Sequence, residues 1–390
     1  MSVGVDDDIF EALLDTVTRF TRERLIPNEA RVEAEDEIPP EIVKEMAEMG
    51  LYGMSIAEEY GGLGLSTLQE ARLVEALCYA SLSFRSLIGT NVGIGSQGIQ
   101  MHGTEAQKKE WLPKLATGEA SASFALTEPD IGSDAAHIKT PARREGDHFV
   151  INGSKRYITN ALRASVFTLM ARTNPDVDGA GGVTAFIVPA DTPGITIAKA
   201  DRKLGQKGTK TSDIFLENVR VPVENIIGGP EREGMGFKTA MRVLDRGRVH
   251  ISAMATGTSQ RMLDIATDYA IDRKQFGVPI CEHQLVQGML ADCQTEIAAA
   301  RALTRATATL YDAVGAAPME AACSKYFCSE MAGRVADRCL QIHGGAGYMA
   351  EYDIERLYRD VRLLRIYEGT SQIQQIVIAR GVVKNRKGAN

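Results

Sequence analysis

Several features that mark common protein classes are missing from this 390-residue sequence. It has no block of lysines and arginines, and its formal net charge of −7 argues against a protein that binds the nucleic-acid backbone. The longest apolar runs, such as residues 164–171, are far too short to cross a bilayer. The first ten residues contain consecutive aspartates and no basic segment before an apolar core, so we predict neither a secretory signal nor a transit peptide. We therefore expect no nucleic-acid or membrane partner.

Motifs built on cysteine, histidine or serine are absent as well. The six cysteines form no C-x-x-C pair, and in a chain of this length we expect them to be reduced thiols of a cytoplasmic protein. Neither H-E-x-x-H nor a carboxylate cluster at ligand spacing occurs, and we predict no metal site. The segment Gln341-Ile-His-Gly-Gly345 resembles an esterase oxyanion loop, but the missing G-x-S-x-G elbow argues against a serine hydrolase.

The periodicity of apolar residues divides the chain into three parts. Residues 1–120 have helical spacing, residues 121–230 carry short β-rich runs separated by Gly, Pro, Asn and Asp, and residues 231–390 are helical again. We therefore predict an α+β fold with a helical N-terminal domain, a central antiparallel β-barrel or sandwich, and a C-terminal four-helix bundle.

Three local patterns refine this prediction. Asn152-Gly153 lies between two β-rich runs and predicts a two-residue hairpin. Residues 237–273 predict one long helix that a single break could divide. Residues 93–98 match G-x-G-x-x-G, but their flanks are helical and no strand–helix alternation follows, so we interpret the glycines as close packing and not as a dinucleotide site.

Two segments of the β-rich part have side chains suited to a ligand. Residues 125–134 combine hydroxyl groups, glycine and free backbone donors, which suit a phosphate or the polar edge of a ring, although a turn between domains would have the same composition. Tyr157 and Thr159 fall on one face of a predicted strand, where they could contact a flat cofactor or form an ordinary strand surface.

The stretch around Glu368 separates two helical segments near the C-terminus. Gly369 favours the end of one helix, and the Ser/Thr residues that follow favour the start of the next. Ile366 and Tyr367 exclude water from the Glu368 carboxylate, which raises a carboxyl pKa and suits a general base. Taken locally, the sequence favours a helix-capping role for Glu368 over that of a base.

These segments, in this order, resemble the acyl-CoA dehydrogenase family over roughly residues 10–380. The matching motifs are Leu126-Thr-Glu-Pro with Gly132-Ser-Asp134, Tyr157-Ile-Thr-Asn160, Arg273-Lys-Gln-Phe-Gly277, Gln341-Ile-His-Gly-Gly345 and Ile366-Tyr-Glu-Gly-Thr-Ser-Gln372. The resemblance implies the same three-part fold, with domains at 1–120, 121–230 and 231–390. It also implies an FAD-dependent α,β-dehydrogenation of an acyl-CoA thioester, a homotetramer built as a dimer of dimers, and electron transfer to an electron-transferring flavoprotein.

The resemblance also assigns roles to individual residues. Glu368 would remove the α-proton, and its own backbone N–H would help to bind the thioester oxygen. Some relatives carry the base at the position of Gly247, and glycine there leaves Glu368 as the candidate. The residues implied for FAD are Phe124, Leu126, Thr127, Ser133, Tyr157, Thr159, Thr370 and Gln372, with Arg273, Phe276, Gln284, Gln341, Gly344 and Gly345 reaching it from a neighbouring subunit. Those implied for the CoA thioester are Ser133, Asp245, Arg248 and Gly369.

Some positions depart from the family pattern or narrow the substrate. Ile131 and His137 stand where small residues are usual, and Tyr157 stands where many members have Trp. Arg85 falls where relatives acting on acidic acyl chains carry an arginine for the distal carboxylate, although Gly89 replaces the serine that assists it. The resemblance thus implies a short or dicarboxylyl acyl-CoA, whereas the alternative is a structural Arg85 paired with an acid such as Glu75.

Two other functions are compatible with the sequence. A flavin enzyme of the same fold could catalyse another reaction, such as desulfination, but such relatives typically lack the glutamate found at position 368. A non-catalytic acyl-CoA-binding helical protein is the other alternative.

Overall fold

The computed structural model describes residues 4–388, and Met1 to Val3, which begin the segment predicted to lack a targeting signal, lie outside this range together with residues 389–390. In the described range no helix is long and apolar enough to cross a membrane. No group of three or more His, Cys, Asp or Glu side chains in residues 4–388 could hold a metal ion.

The N-terminal part is helical, as predicted. Its helices are α1 Asp7–Phe20, α2 Ile26–Glu35, α3 Pro40–Glu48, α4 Thr67–Leu77, α5 Leu82–Gly89, α6 Gln97–His102 and α7 Glu105–Thr117. Helices α4 and α7 each begin with a capping box, formed by Ser66 with Gln69 and by Thr104 with Gln107. The apolar core of these helices is continuous with that of the C-terminal helices, and α4 packs directly against the bundle.

The middle part is a β-sandwich. Its strands are β1 Ala122–Ala125, β2 Ala142–Glu145, β3 His148–Thr159, β4 Val166–Arg172, β5 Val183–Pro189, β6 Ile195–Ile197 and β7 Thr211–Pro222. One sheet has the order β1-β4-β5 and the other β2-β3-β7-β6, with a shared apolar core between them. The sandwich was predicted as antiparallel, and one pair departs from this, because β1 runs parallel to β4.

The hairpin predicted at Asn152-Gly153 is wrong. Residues 148–159 form one continuous strand, and the turn precedes it at Gly146-Asp147, between β2 and β3. Asn152-Gly153 instead marks a register shift against β7, where Asn152 Oδ1 accepts a 2.8 Å hydrogen bond from the Asn218 N–H. Asn152-Gly153 therefore forms part of a β-bulge, in which Gly153 adopts its positive φ.

The C-terminal part is a helical bundle. Its elements are α8 Gly236–Asp272, β8 Lys274–Gln275, β9 Val278–Pro279, α9 Gln284–Val314, α10 Pro318–His343, α11 Asp353–Val361 and α12 Ser371–Gly388. Helix α8 runs unbroken for 37 residues, which corresponds to about 55 Å. The break that the sequence allowed within it does not occur, because successive turns of α8 are buried against α4, α9 and α10.

The glycine-rich residues 93–98 serve close packing, as predicted. They form a π-helical turn leading into α6, and the Gly95 carbonyl accepts a 2.7 Å hydrogen bond from Thr168 Oγ1. A Cβ at Gly95 would lie 2.7 Å from the Ala122 Cβ, which leaves no room for a larger residue. This contact brings the N-terminal helices onto strands β1 and β4.

Candidate active site

A cavity of about 660 Å³ lies where the N-terminal helices, the sandwich and the bundle meet. The predicted site residues that line it are Arg85, Phe124, Leu126, Thr127, Ser133, Tyr157, Thr159, Arg248, Glu368 and Gly369. These residues come from segments far apart in the sequence, so the cavity exists only in the folded chain. A second cavity, of about 690 Å³, is lined by none of the predicted site residues and lies near Arg242 and Arg246.

Glu368 lies in the short connection between a 3₁₀ turn that ends at Arg365 and helix α12. Its φ of 52° and the φ of 89° at Gly369 are left-handed, so the chain turns sharply at this point. Two side chains hold the turn through its carbonyl groups. Lys325 Nζ donates a 2.7 Å hydrogen bond to the Gly369 carbonyl, and Gln374 Nε2 donates to the carbonyls of Glu368 and Gly369 at 3.1 and 2.9 Å.

The Glu368 carboxylate packs directly over Gly247 of helix α8. A Cβ at position 247 would overlap Glu368 Oε2 and would lie 3.0 Å from Cδ. Glycine at this position therefore provides the space that the carboxylate fills. The two positions that the family resemblance associates with the base are thus adjacent in space, one supplied by α8 and the other by the turn before α12.

Within residues 4–388 the Glu368 side chain makes no hydrogen bond, and its Oε2 atom is buried. Burial raises the pKa of this carboxyl, and the nearby cations Arg85, Lys325 and Arg248 oppose the increase without cancelling it. A carboxylate that is desolvated and free of a hydrogen-bond partner is suited to accept a proton.

The alternative in which Glu368 caps α12 is wrong. The capping hydrogen bond comes from Thr370, whose Oγ1 accepts from the Ile373 N–H at 3.3 Å. Ser371, the first residue of α12, donates its hydroxyl to Glu330 Oε1 at 2.6 Å. The Glu368 carboxylate is therefore directed into the cavity and away from the helix that follows it.

Arg248 lines the same cavity, next to Glu368. Its guanidinium is buried, and Nη1 donates a 2.7 Å hydrogen bond to Asp245 Oδ1 one turn earlier on α8. Arg248 Nε is buried without a partner among the described residues, so this guanidinium retains a free donor. Asp245 is not among the cavity-lining residues and contacts the cavity through Arg248.

Arg85 is 5% exposed and lines the cavity from helix α5. Two glycines make room for it, because a Cβ at Gly89 would overlap Nη1 and a Cβ at Gly93 would lie 3.4 Å from Nη2. The pairing with Glu75 that we considered does not occur, since Glu75 accepts a 2.6 Å hydrogen bond from Arg301. In residues 4–388 the one hydrogen bond of Arg85 joins Nη2 to His250 Nδ1 at 2.8 Å.

The loop at Leu126 and Thr127 is supported by a buried ion pair that sequence reasoning missed. Lys155 Nζ donates hydrogen bonds to the Leu126 carbonyl at 3.2 Å and to Glu128 Oε1 at 2.9 Å. Glu128 also accepts from the N–H groups of Lys139 and Thr140. These bonds join the loop to strand β3, and both elements contribute to the wall of the cavity.

Tyr157 and Thr159 both line the cavity, in line with their predicted common face. Tyr157 has a φ of 58° and lies at a register shift in β3 between Lys155 and Ile158. The shift turns its ring out of the sandwich, so that the ring is largely exposed and is covered on one side by Arg156 at 4.7 Å. Ile158, on the opposite side of the strand, is buried in the sandwich core.

The remaining predicted cofactor residues lie outside this cavity. Thr370 and Gln372 are next to Glu368 in sequence but do not line it. Those at the far end of the bundle are exposed: Arg273, Phe276, Gln284, Gln341, Gly344 and Gly345. Arg273 follows Arg248 by 25 residues, and a helix of that length spans about 37 Å. One chain therefore cannot bring this group into contact with Glu368.

Two of the departures from the family pattern, Ile131 and His137, lie outside the cavity lining. Ile131 is buried in the apolar cluster beneath the loop, and its backbone pairs with that of Glu128. His137 is exposed, and its Nδ1 lies 2.6 Å from Asp134 Oδ1. Neither residue lines the cavity.

Sequence reasoning missed the residues that support the cavity from behind, namely Lys155, Glu128, Lys325 and His250. Lys155 and Lys325 are fully buried, although each occurs in an amphipathic stretch where lysine is normally exposed. Glu128 belongs to a motif that we recognised, so its role could have been suspected. No local signal identifies the other three, because their partners are distant in sequence.

Comparison with known proteins provides independent evidence. Profiles of the acyl-CoA dehydrogenase N-terminal, middle and C-terminal domains match residues 8–119, 123–219 and 234–383. The probable acyl-CoA dehydrogenase YngJ of Bacillus subtilis is 43% identical over 370 residues, which cover 95% of this chain and 97% of that protein.

Solved structures show the same similarity. Butyryl-CoA dehydrogenase from Megasphaera elsdenii superposes with a TM-score of 0.92 at 34% identity, covering 98% of this chain and 100% of that one. A glutaryl-coenzyme A dehydrogenase in complex with glutaryl-CoA superposes with a TM-score of 0.91 at 33% identity, covering 98% and 97%. The predicted fold class is confirmed by these matches.

Proposed function

The chain belongs to the acyl-CoA dehydrogenase family, an FAD-dependent group of oxidoreductases, and on this premise we propose that it oxidises a short or dicarboxylyl acyl-CoA to the trans-2-enoyl-CoA. Membership confirms the expected cofactor and enzyme class, and excludes the non-catalytic alternative. The substrate, the site residues and the protein partners are our proposals.

The observation that carries the proposed reaction is the Glu368 carboxylate inside the cavity, which is partly buried and whose Oε2 has no hydrogen-bond partner among residues 4–388. In our proposal this carboxylate removes the α-proton of the bound thioester. Burial raises its pKa, which strengthens it as a base near neutral pH. Gly247 leaves the space in which the carboxylate meets the substrate.

The α-proton of the thioester is weakly acidic. Its removal places negative charge on the thioester oxygen, and this charge must be stabilised. The backbone N–H of Glu368 makes no hydrogen bond among residues 4–388 and is therefore free to donate to that oxygen. Lys325 and Gln374 hold this peptide through the adjacent carbonyls, so the donor is preorganised before substrate binds.

The cavity wall formed by the sandwich fits the isoalloxazine ring of FAD. An exposed Tyr157 ring, the apolar side chains of Phe124 and Leu126, and the hydroxyls of Thr127, Ser133 and Thr159 present a flat surface with polar groups at its margin. When bound, FAD supplies the acceptor for the hydrogen that leaves the β-carbon. The chain's part is to bind the ring, to orient the acyl chain between ring and Glu368, and to exclude water.

For the CoA portion we propose Arg248, which lines the cavity and whose Nε–H has no partner among residues 4–388. Asp245 accepts a 2.7 Å hydrogen bond from this guanidinium and so positions it, without itself lining the cavity. Gly369, which also lines the cavity, allows the thioester to approach the backbone closely.

Arg85 supports an acidic acyl chain as substrate. It is a buried cation on the cavity wall, and its hydrogen-bond partner is a histidine instead of a carboxylate. Glu368 lies near enough to interact with this charge but is not hydrogen-bonded to it, and a distal carboxylate on the acyl chain would supply a direct ion pair. Butyryl-CoA and glutaryl-CoA are the substrates named for two of the structural relatives, and they differ by such a group.

We further propose a homotetramer that transfers electrons to an electron-transferring flavoprotein in the cytoplasm. The exposed group around Arg273 and Phe276 is too distant to serve the cavity of its own chain, which favours its use by a second subunit. The six cysteines are free thiols, which favours a reducing compartment.

The first test replaces the base by an isosteric amide. Glu368→Gln should retain bound FAD, measured by its absorbance, while the rate of flavin bleaching by a reactive acyl-CoA falls by about three orders of magnitude or more. Glu224→Gln, on the surface of the sandwich, is the control and should bleach at the wild-type rate. Bleaching of Glu368→Gln at the wild-type rate would refute the assignment.

The second test concerns the substrate. We expect wild-type enzyme to prefer glutaryl-CoA to butyryl-CoA, and Arg85→Ala to lower the ratio of their kcat/KM values roughly 30-fold or more, as for loss of a buried charge pair. Arg143→Ala, an exposed arginine on β2, is the matched control. Equal losses on both thioesters in Arg85→Ala would end the dicarboxylyl proposal without affecting the proposed reaction.

A flavin enzyme with another reaction, such as desulfination, remains the alternative to dehydrogenation. The presence of Glu368 in the cavity favours dehydrogenation, because a base for the α-proton has no purpose in the alternative. Formation of the 2-enoyl-CoA product distinguishes the two.

A further inference from the structure

Arg85 is the first of four polar side chains that form a buried row and link three helices. Arg85 on α5 is bonded to His250 on α8, and His250 Nε2 lies 2.8 Å from Glu70 Oε2 on α4. The other Glu70 oxygen accepts a hydrogen bond from Arg246, also on α8. His250 and Glu70 are fully buried, and both arginines are nearly so.

The partners of His250 determine its protonation state. A guanidinium can only donate hydrogen bonds, so His250 Nδ1 must be the acceptor toward Arg85. The proton of the neutral ring then lies on Nε2 and is donated to Glu70. Burial lowers the pKa of His250, and although Glu70 opposes this, Arg85 and Arg246 act in the same direction as burial.

The order of the side chains in this row determines which arginine is paired with the negative charge of Glu70. Glu70 is a single anion, and Arg246 contacts it directly. His250 separates Glu70 from Arg85 and is itself neutral. Arg85 is therefore held firmly by a hydrogen bond, but its positive charge is not neutralised by that bond. A carboxylate in place of the imidazole would hold the guanidinium equally well and would cancel its charge.

From this arrangement we infer that His250 is a positioning and specificity-determining residue, which holds Arg85 against the cavity wall in a form that binds an anionic acyl terminus. Glu70 does not contact Arg85. It accepts the hydrogen bond from His250 Nε2–H and so selects the tautomer in which Nδ1 accepts from Arg85. The inference rests on the proposed dicarboxylyl specificity and adds the residues that create it.

Geometry supports this role over a purely structural one. Gly89 lies against Nη1 of the guanidinium and Gly93 lies beside the Nη2–His250 hydrogen bond, and neither carries a side chain that could bond to Arg85. The donors of Arg85 that His250 does not use are consequently open to the cavity. A distal carboxylate on the acyl chain can accept two of them side by side, which is the geometry that guanidinium favours.

The experiment compares two substitutions at one position. His250→Asn retains a neutral acceptor near the place of Nδ1, whereas His250→Leu has similar volume and no acceptor. We expect His250→Leu to lower the glutaryl-CoA to butyryl-CoA ratio of kcat/KM roughly tenfold or more, mainly through KM for glutaryl-CoA, as for loss of a hydrogen bond to a charged group. His250→Asn should keep the ratio within about twofold of wild type.

The ratio separates the inference from general damage to the fold, because misfolding lowers activity on both thioesters alike. His148→Leu, a histidine paired with Asp147 on the sandwich, is the matched control. The inference is overturned when Arg85→Ala lowers the ratio but His250→Leu does not, or when His250→Asn lowers it as much as His250→Leu. An Arg85→Ala variant with an unchanged ratio would refute the proposed dicarboxylyl specificity and, because it depends on that specificity, this inference as well.

Discussion

Opposing electrostatic effects meet at the Glu368 carboxyl. Removal from water raises its pKa, while three cations on separate helices, Arg85 on α5, Arg248 on α8 and Lys325 on α10, lower it. The pKa that results from this balance lies above the ordinary value of a glutamate, which suits the general-base role that we propose for Glu368. Lys325 has a second role, because its ammonium also holds the Gly369 carbonyl.

Removing Lys325 should therefore shift the pH dependence of the reaction. In Lys325→Met the pKa of Glu368 rises further, since one opposing cation is lost while burial remains. A general base acts when deprotonated, so the acidic limb of the kcat/KM profile should move to higher pH. The rate above that limb should also fall, by about 100-fold if the turn is displaced by as much as 1 Å.

The profile is measured by stopped-flow bleaching of the flavin between pH 5 and pH 9. Lys325→Arg, which retains a cation, should shift the acidic limb less than Lys325→Met, and Lys387→Met in α12 should not shift it. An acidic limb at the wild-type position in Lys325→Met would contradict the electrostatic role of this lysine.

Among the secondary-structure elements, strand β3 is unusual because it contains a buried charged residue. It carries a fully buried lysine, Lys155, across from Glu128. Burial lowers the pKa of Lys155 to about 8, and Glu128 opposes this change. Burial raises the pKa of Glu128, but Lys155 and the N–H groups of Thr140 and Lys139 outweigh it and the net shift is downward. Both groups thus remain charged at neutral pH and join the Leu126 loop to the strand.

Because Lys155 and Glu128 form a buried ion pair, we expect a single substitution of Lys155 to change the stability of the protein strongly. Lys155→Met leaves Glu128 as an uncompensated buried anion, which should lower the free energy of unfolding by about 3–5 kcal/mol. Affinity for FAD should fall too, because the loop at Leu126 and Thr127 loses its link to β3. Urea unfolding of the FAD-loaded enzyme and titration of the apoenzyme with FAD measure the two effects.

Two variants test the reason for this loss. Lys155→Met combined with Glu128→Gln removes both charges and should recover part of the stability. Lys108→Met, which removes a partner of the exposed Glu105, should change the unfolding free energy by only about 0.2–1 kcal/mol. A single Lys155→Met variant as stable as this control would show that the buried pair is unimportant.

At the scale of the whole molecule, the length of α8 separates the cavity from an exposed apolar surface at the other end of the bundle. The cavity lies near its first half, and the β8–β9 hairpin with Phe276 at its tip lies beyond its end. Phe276 is 96% exposed, and Leu285 and Tyr348 in the following segments are also largely exposed. Large apolar side chains at such exposure are typical of an interface between subunits.

We expect this end of the bundle to be covered in the assembled enzyme. Phe276→Asp should reduce the mass measured by light scattering from that of a tetramer to that of smaller species, and should lower the FAD content of the purified protein. Phe215→Asp, at an exposed phenylalanine of β7, is the control for added charge and should retain mass and FAD. A Phe276→Asp tetramer with full FAD content would contradict the proposed role of this surface.

Much of the architecture could be predicted from periodicity alone. The three-part order of helices, strands and helices follows from the spacing of apolar residues, which each element needs locally to bury one face. The hairpin at Asn152-Gly153 was wrong because the same dipeptide also fits a β-bulge, and only pairing with β7 selects between the two. The parallel pairing of β1 with β4 is equally non-local.

By itself, the sequence determined the family, the cofactor class and the identity of the candidate base, because these depend on motifs whose residues are close together in the chain. Only the tertiary structure decided that Glu368 lies over Gly247, that Lys325 holds its turn, and that Arg85 is bonded to a neutral histidine. The physical reason is that charge and hydrogen bonding act over a few ångströms in space, whereas these partners are tens to hundreds of residues apart along the chain.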